Sequence, residues 1–151
     1  MTIFRKAYSV FGALLMLQFF LQLYFIAGAI FTIVNANDNA KDVYAAFKNA
    51  DGFAGLHALN GYLVGINILI LLGLAFGSRF PRRTIILTGV LFVLLLVQIV
   101  LARVGVPELA GLHGINAIVM IALGGFLTGR NWAFRRGAAA AGDEGPGHAT
   151  A

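Results

Sequence analysis

Two histidines, each followed three residues later by an asparagine, lie in nearly identical apolar octapeptides. AGLHALNG places His57 and Asn60 in the first copy, and AGLHGINA places His113 and Asn116 in the second. A neutral imidazole is a common metal ligand, and residues three apart share one side of a helix. If both copies lie on helices that face each other in a bundle, the two histidines form a ligand pair.

The composition predicts a membrane protein. The chain has 151 residues, of which 60% are hydrophobic and 11% charged, and the mean hydropathy is +0.87. A soluble domain averages about a quarter charged residues, so this chain has too little polar surface to cover a globule in water. It contains no cysteine, which excludes disulfides, thiolate metal sites and thiol nucleophiles.

Four apolar blocks are close to the roughly 20 residues that cross a bilayer as helix. Backbone groups in lipid must be paired within their own segment, so helix is expected throughout. We predict an all-α fold, an integral membrane four-helix bundle in residues 1–136, followed by a disordered cytoplasmic tail at 137–151. The expected helices span residues of about 8–34, 53–76, 84–102 and 109–128.

The longest link, residues 35–52, begins with turn-forming residues and continues with KDVYAAFKNA. Val43, Tyr44 and Phe47 fall on one side of that piece. We therefore expect a short separate helix that lies on the membrane surface.

The basic residues indicate the orientation of the chain. Three groups share one side of the predicted bundle: Arg5 and Lys6; Arg79, Arg82 and Arg83; Arg130, Arg135 and Arg136. The other side has only Lys41, Lys48 and Arg103. By the positive-inside rule, both termini are cytoplasmic. We expect a multi-pass protein of a bacterial cell (plasma) membrane, and the net charge of +5 reflects orientation in the lipid bilayer, with no nucleic acid as partner.

The two octapeptides suggest an internal repeat. Each begins a helix that follows an apolar helix with a glutamine, Gln22 in the first case and Gln98 in the second. We expect two duplicated helical hairpins, related by an axis along the membrane normal. Such an axis places His57 and His113 at equal depth.

The chemistry of the pair favours haem. Zinc and copper require more protein ligands than two imidazoles, whereas a porphyrin supplies four nitrogens and needs only two axial ligands. Gly61 and Ala117, one turn beyond the histidines, leave room for a flat group or let helices approach closely. The sequence therefore predicts haem b bound by His57 and His113, although hydrogen bonds at helix ends would also explain two such histidines.

Other polar residues have two interpretations each. Arg103 pairs with a haem propionate or extends to the interface. Gln22 and Gln98 contact a haem edge or a quinone, or they pack between helices. Asn60 and Asn116 bond neighbouring helices or orient the histidines.

The order Q-x5-G, a turn, and a histidine near the start of the next helix resembles the heme A synthase family. That resemblance covers one four-helix half, over residues 7–136, and implies that His57 and His113 are axial haem ligands. The segment FAGLH lacks the acid found a turn before the first histidine of the catalytic half, and the cysteine pair is missing. The resemblance therefore favours haem binding and gives no support to haem oxygenation. The chain is also similar to uncharacterised bacterial four-helix membrane proteins with paired histidines, a similarity that implies no activity.

The expected function is electron transfer or haem handling near the outer face, in exchange with a quinol or a redox partner protein. The sequence carries no catalytic constellation, so a redox carrier is expected rather than an enzyme. The alternative is a cofactor-free accessory or assembly subunit of a larger membrane complex, and a small transporter or metal-handling protein is a third option. A homo-oligomer fits each of these.

Overall fold

The computed structural model describes residues 3–39 and 41–134, and these residues form helices and short links without any strand. The all-α prediction is confirmed. The helices are α1 Ile3–Asp38, α2 Val43–Gly77, α3 Arg82–Leu101, α4 Pro107–Ala110 and α5 Leu112–Arg130. The last two together make one span, since only Gly111 separates them, and Pro107 lies in its first turn as expected. The predicted tail at 137–151 lies outside the described residues.

Four spans are long and apolar enough to cross a membrane: α1, α2, α3 and the α4–α5 unit. Their outward faces carry exposed large apolar side chains, such as Phe20 on α1, Ile66 on α2 and Ile118 on α5. Lipid solvates such faces, whereas water does not. The described part of the chain is therefore suited to contact with a lipid bilayer on its outside.

The helices pack in a ring. Helix α1 contacts α2 and α5, and α3 also contacts α2 and α5. Two hydrogen bonds show that α1 and α2 run antiparallel. Asn67 on α2 donates to the carbonyl oxygen of Phe11 on α1, and Asn60 donates to that of Gln18. In this arrangement α2 and α5, the two helices that carry the octapeptides, lie diagonally across the bundle from each other.

The first hairpin, formed by α1 and α2, is much longer than the second, formed by α3 and the α4–α5 unit. Helix α1 has 36 residues and α3 has 20, which correspond to lengths of about 54 and 30 Å. Only the shorter length matches a hydrocarbon core of about 30 Å. The α1–α2 hairpin therefore extends well beyond the α3–α5 hairpin at the end where it turns.

The prediction of a separate surface helix over residues 41–50 is wrong. Most of these residues form the start of α2, which runs without a break from Val43 to Gly77. Asp42 caps this helix, since its carboxylate accepts hydrogen bonds from the backbone N–H groups of Tyr44 and Ala45. Small residues let the two helices pack closely along this extension, because Gly28 leaves room for the ring of Phe53 and Ala29, Ala36, Ala46 and Ala50 are buried.

Buried residues occupy corresponding sequence positions in the two hairpins. Every buried residue of α3 lies 76 positions after a buried residue of α1, and every buried residue of α5 lies 56 positions after a buried residue of α2. The pairs are Tyr8/Thr84, Gly12/Thr88, Leu15/Leu91, Phe19/Leu95, Asn60/Asn116, Val64/Met120, Ile68/Gly124 and Leu71/Leu127. The two hairpins thus present the same faces to one core.

The packing of α1 on α2 can be tested at Gly28. A Cβ atom there would lie 2.8 Å from two ring carbons of Phe53, so Gly28→Ala should separate the helices and destabilise the protein by about 1–3 kcal/mol. Gly73→Ala is the matched control, because nothing lies within 4 Å of its Cβ. It should leave stability unchanged or raise it by up to about 1 kcal/mol. Unfolding midpoints in detergent measure both, and equal midpoints would contradict the close packing.

Candidate functional site

Each histidine is held by a backbone carbonyl of the preceding long helix. His57 Nδ1 lies 3.2 Å from the carbonyl oxygen of Gln22. His113 Nδ1 lies 3.1 Å from the carbonyl oxygen of Gln98. A carbonyl oxygen only accepts, so Nδ1 donates in both bonds, and Nε2 of each neutral ring keeps its lone pair. Metal-bound histidines use this same arrangement, in which the second ring nitrogen donates to a carbonyl or carboxylate.

The two half-buried histidine rings come together across the bundle. Their centroids are 6.4 Å apart, and the ring planes are tilted by 53°. A histidine nitrogen lies about 2.0–2.1 Å from its metal, so two rings bound on opposite sides of one metal ion would have centres roughly 6.3 Å apart. The observed centroid separation is close to that value.

The donor set fits a metal that brings other ligands with it. Among the described residues, no group of three or more His, Cys, Asp or Glu could hold a metal ion. A bare zinc site of three or four protein ligands is thus not formed there. Two neutral imidazoles suffice for haem iron, whose porphyrin supplies four nitrogens. His148 lies outside the described residues.

The histidines line a cavity of about 460 Å³ between α1, α2, α3 and α5. Cofactor and ligand sites span about 300–1,000 Å³. Nine pairs of lining residues are related by the same offsets as the core, 76 positions for α1 and α3 and 56 for α2 and α5. They include Gln22/Gln98, Phe19/Leu95, Gly61/Ala117 and Tyr62/Ile118. The cavity therefore has nearly the same wall on both sides.

Gly61 permits a close approach of α1 and α2 beside His57. A Cβ atom at Gly61 would lie 3.1 Å from Nε2 of Gln22. The glycine thus accommodates the glutamine side chain, and it also lines the cavity. Ala117 lines the cavity at the corresponding position of α5.

The two asparagines bond the helices of each hairpin. Asn60 Nδ2 donates to the carbonyl oxygen of Gln18 at 2.8 Å, and Asn116 Nδ2 donates to that of Leu94 at 2.9 Å. Each acceptor lies four residues before the glutamine that holds the histidine. Neither asparagine contacts a histidine by a hydrogen bond in the described part of the chain. The two asparagines therefore bond neighbouring helices, and their hydrogen bonds do not orient the histidine rings.

The glutamine side chains differ between the hairpins. Gln98 Oε1 accepts a 2.6 Å hydrogen bond from Asn116 Nδ2. Gln22 Oε1 is buried without a hydrogen-bond partner, although Gln22 lines the cavity. Helix α2 instead carries Asn67, whose Nδ2 donates to Gln18 Oε1 at 2.7 Å. The α1 side thus has a buried acceptor without a partner, whereas the corresponding oxygen of Gln98 is bonded.

Arg103 lies in the link after α3 and contributes the one charged side chain among the lining residues of this cavity. It is exposed, which suits a position at the cavity mouth. The corresponding residue of the first hairpin is Ala27. The structure thus brings all eight sequence-predicted site residues to one region, with Asn60 and Asn116 directly behind the cavity wall.

Sequence reasoning assigned the glutamines a role through their side chains, and it missed the role of their backbone carbonyls. The His57 bond spans 35 residues and the His113 bond spans 15. The unequal spacing hides the correspondence, and only the alignment of Gln22 with Gln98 in the proposed repeat pointed to these positions.

Part of the chain is similar to a known protein family. Residues 44–105 match the model of a family of unknown function, DUF6220. The matched segment includes His57 and the whole of α3, and it ends before His113. No curated protein and no solved structure matches the chain.

The asymmetry of the glutamines can be measured by two double-mutant cycles. The pair Asn116→Leu and Gln98→Leu should show a coupling free energy of about 0.5–1.5 kcal/mol, because their side chains share a hydrogen bond inside the membrane. The matched pair Asn60→Leu and Gln22→Leu should show almost none, since Asn60 donates to a carbonyl of Gln18 instead. Unfolding free energies of the single and double variants give both values. Equal coupling in the two cycles would contradict the difference.

Proposed function

We propose that this protein binds one b-type haem through His57 and His113 and that it serves electron transfer or haem handling. The observation that carries the proposal is the histidine pair itself. The ring centroids are 6.4 Å apart, and a carbonyl accepts a hydrogen bond from each Nδ1. The bound haem would supply reversible one-electron exchange between ferric and ferrous iron.

The residues around the pair have separate tasks in this proposal. His57 and His113 hold the iron through Nε2, and their Nδ1–carbonyl bonds fix the ring orientation and raise the basicity of each ligand. The apolar lining, with Phe19 and Leu95 on opposite walls, excludes water and so helps to set the reduction potential. Gly61 and Ala117 occupy little space beside each histidine, which leaves room in the cavity for the porphyrin.

Polar residues at the cavity give the bound group an orientation. Arg103 is the cation that a buried propionate requires, and it lies on the α3 side alone. Gln22 Oε1 is an unpartnered acceptor on the α1 side, and haem b offers it no hydrogen-bond donor, so the orientation depends on Arg103. Gln98 is already bonded to Asn116 and adds less.

The same proposal includes duplicated hairpins and an orientation with both termini in the cytoplasm of a bacterial cell. The coincident buried positions and the repeated histidine and asparagine bonds support duplication. The described basic residues at the end of the bundle where α1 begins support the orientation. Under this orientation, the cavity lies near the outer face.

A single haem near one face does not carry electrons across the membrane. A quinol in the lipid or a redox partner protein must therefore exchange electrons with it, within a larger complex or a homo-oligomer if the protein forms one. A haem that dissociates readily to an added apoprotein would indicate haem handling, whereas a retained haem would indicate electron transfer.

Haem binding is tested by absorbance of the purified protein after expression with ample haem. We expect a Soret band, split α and β bands on reduction, and loss of this spectrum in His57→Ala and in His113→Ala. The matched control is His148→Ala, which removes the third histidine of the chain and should keep the full spectrum. A colourless wild-type protein would contradict the proposal and favour a cofactor-free accessory subunit.

The role of Arg103 is tested by redox titration. A cation near the iron opposes the extra positive charge of the ferric state, so Arg103→Gln should lower the midpoint potential by tens of millivolts and weaken haem retention. Arg83→Gln is the control, since Arg83 lies at the start of α3, at the opposite end of the bundle. If both variants keep the wild-type potential, Arg103 has no electrostatic contact with the haem.

A further inference from the structure

We propose a second site, which binds a phosphate group at the end of the bundle opposite the histidine cavity. The structure has a pocket of about 320 Å³ there, between the start of α1, the start of α3 and the end of α5. Arg5 and Arg130 line it from two sides, together with Thr84 and Trp132. This site does not depend on the proposed haem.

Charge at this end of the bundle is entirely positive within the described residues. The cations there are Arg5, Lys6, Arg79, Arg82, Arg83 and Arg130. The described carboxylates lie at the other end, Asp38, Asp42 and Asp51 where α1 is followed by α2 and Glu108 in α4. No carboxylate in 3–39 or 41–134 pairs with Arg5 or Arg130. The two guanidinium groups at the pocket are thus without a counter-anion from this part of the chain.

Aromatic rings hold both guanidinium groups in place. Arg5 lies over the ring of Phe80 at 5.1 Å, and Arg130 lies over the ring of Phe126 at 5.9 Å. Stacking occupies the flat face of a guanidinium and leaves the N–H groups at its edge available to an anion. Phosphate is the anion whose oxygens best match such a fork of donors.

The start of α3 forms a third side of the pocket. Pro81 is the N-cap residue, it lines the pocket, and it offers no side-chain hydrogen bond to the helix. The backbone N–H of Thr84 donates to the carbonyl oxygen of Pro81 at 2.8 Å, so this helix start contributes the positive end of its dipole to the pocket. This third element complements the two arginines.

The pocket wall is fixed before any ligand arrives. Ser9 Oγ lies 3.2 Å from the carbonyl oxygen of Asn131 and accepts a 2.8 Å hydrogen bond from the backbone N–H of Ala133. Thr84 Oγ1 donates to Asn131 Oδ1 at 3.4 Å. These bonds tie the end of α5 to the starts of α1 and α3, so binding requires little ordering of the site.

The phosphate has two sources, an anionic phospholipid headgroup or a free phosphate ion. Basic pockets between membrane helices bind anionic headgroups, and tryptophan is enriched at headgroup depth in membrane proteins. Trp132 is the single tryptophan of the chain, and it lines the pocket. Its fluorescence therefore reports on this site without a label.

The experiment titrates the full chain in neutral detergent with phosphatidylglycerol, with phosphatidylcholine and with inorganic phosphate while Trp132 fluorescence is recorded. A saturable response to phosphatidylglycerol at concentrations where phosphatidylcholine gives none supports an anionic headgroup site. A saturable response to inorganic phosphate supports the site with a free ion as its ligand. The absence of a saturable response to either anionic probe overturns the proposal.

Variants separate a built site from general surface charge. Arg5→Gln and Arg130→Gln should each weaken binding about tenfold or more, because each removes a hydrogen bond to a charged group. Lys6→Gln removes one charge beside Arg5 but outside the pocket, and it should change the affinity less than threefold. Arg5→Lys should retain part of the affinity, which guards against misfolding of the glutamine variant. Equal weakening by Lys6→Gln and Arg5→Gln overturns the proposal.

Discussion

Hydrogen bonds from side chains to backbone carbonyls of a neighbouring helix are the constraint on which this structure depends. A polar side chain inside a bilayer finds no water, so it must reach a group that the protein offers. His57 bonds to the carbonyl of Gln22 and Asn60 to that of Gln18. Two such bonds, one turn apart on both helices, fix the sliding and the rotation of α2 against α1. The bonds of His113 and Asn116 do the same for α5 against α3.

The same bonds determine what the histidines can do. With Nδ1 committed as a donor, each ring keeps a lone pair on Nε2 and a fixed orientation, which are the two properties of a metal ligand. Because each hairpin fixes its own histidine, the distance between the rings is set by the packing of one hairpin on the other. That packing rests on paired buried positions such as Leu15/Leu91 and Leu71/Leu127. The core and the candidate site therefore have a common origin in the matching faces of the two hairpins.

Much of this arrangement could be predicted from residue types. Long apolar blocks gave the spans, and the repeated octapeptide gave His57 and His113 as a pair. The continuity of α2 could not be predicted in this way, because the asparagines and aspartates of residues 35–52 are typical of a link, and only packing reveals that Ala46 and Ala50 are buried between long helices. The carbonyl partners were also hidden, since every residue has a carbonyl and its identity carries no information about the contact. The basic pocket could not be predicted either, because its lining residues come from three separate segments of the chain.

The differences between the hairpins matter as much as their likeness. Two equivalent histidines bind a symmetric metal ion equally well from either side and give a flat ligand no preferred direction. Direction must come from residues without a counterpart, which here are Arg103, matched by Ala27, and Asn67, matched by Leu123. Asn67 engages Gln18, while the side chain of Gln22 keeps an unpartnered acceptor in the cavity wall. A ligand with an acidic edge would place that edge toward Arg103, so two equivalent histidines can still hold an asymmetric molecule in one orientation.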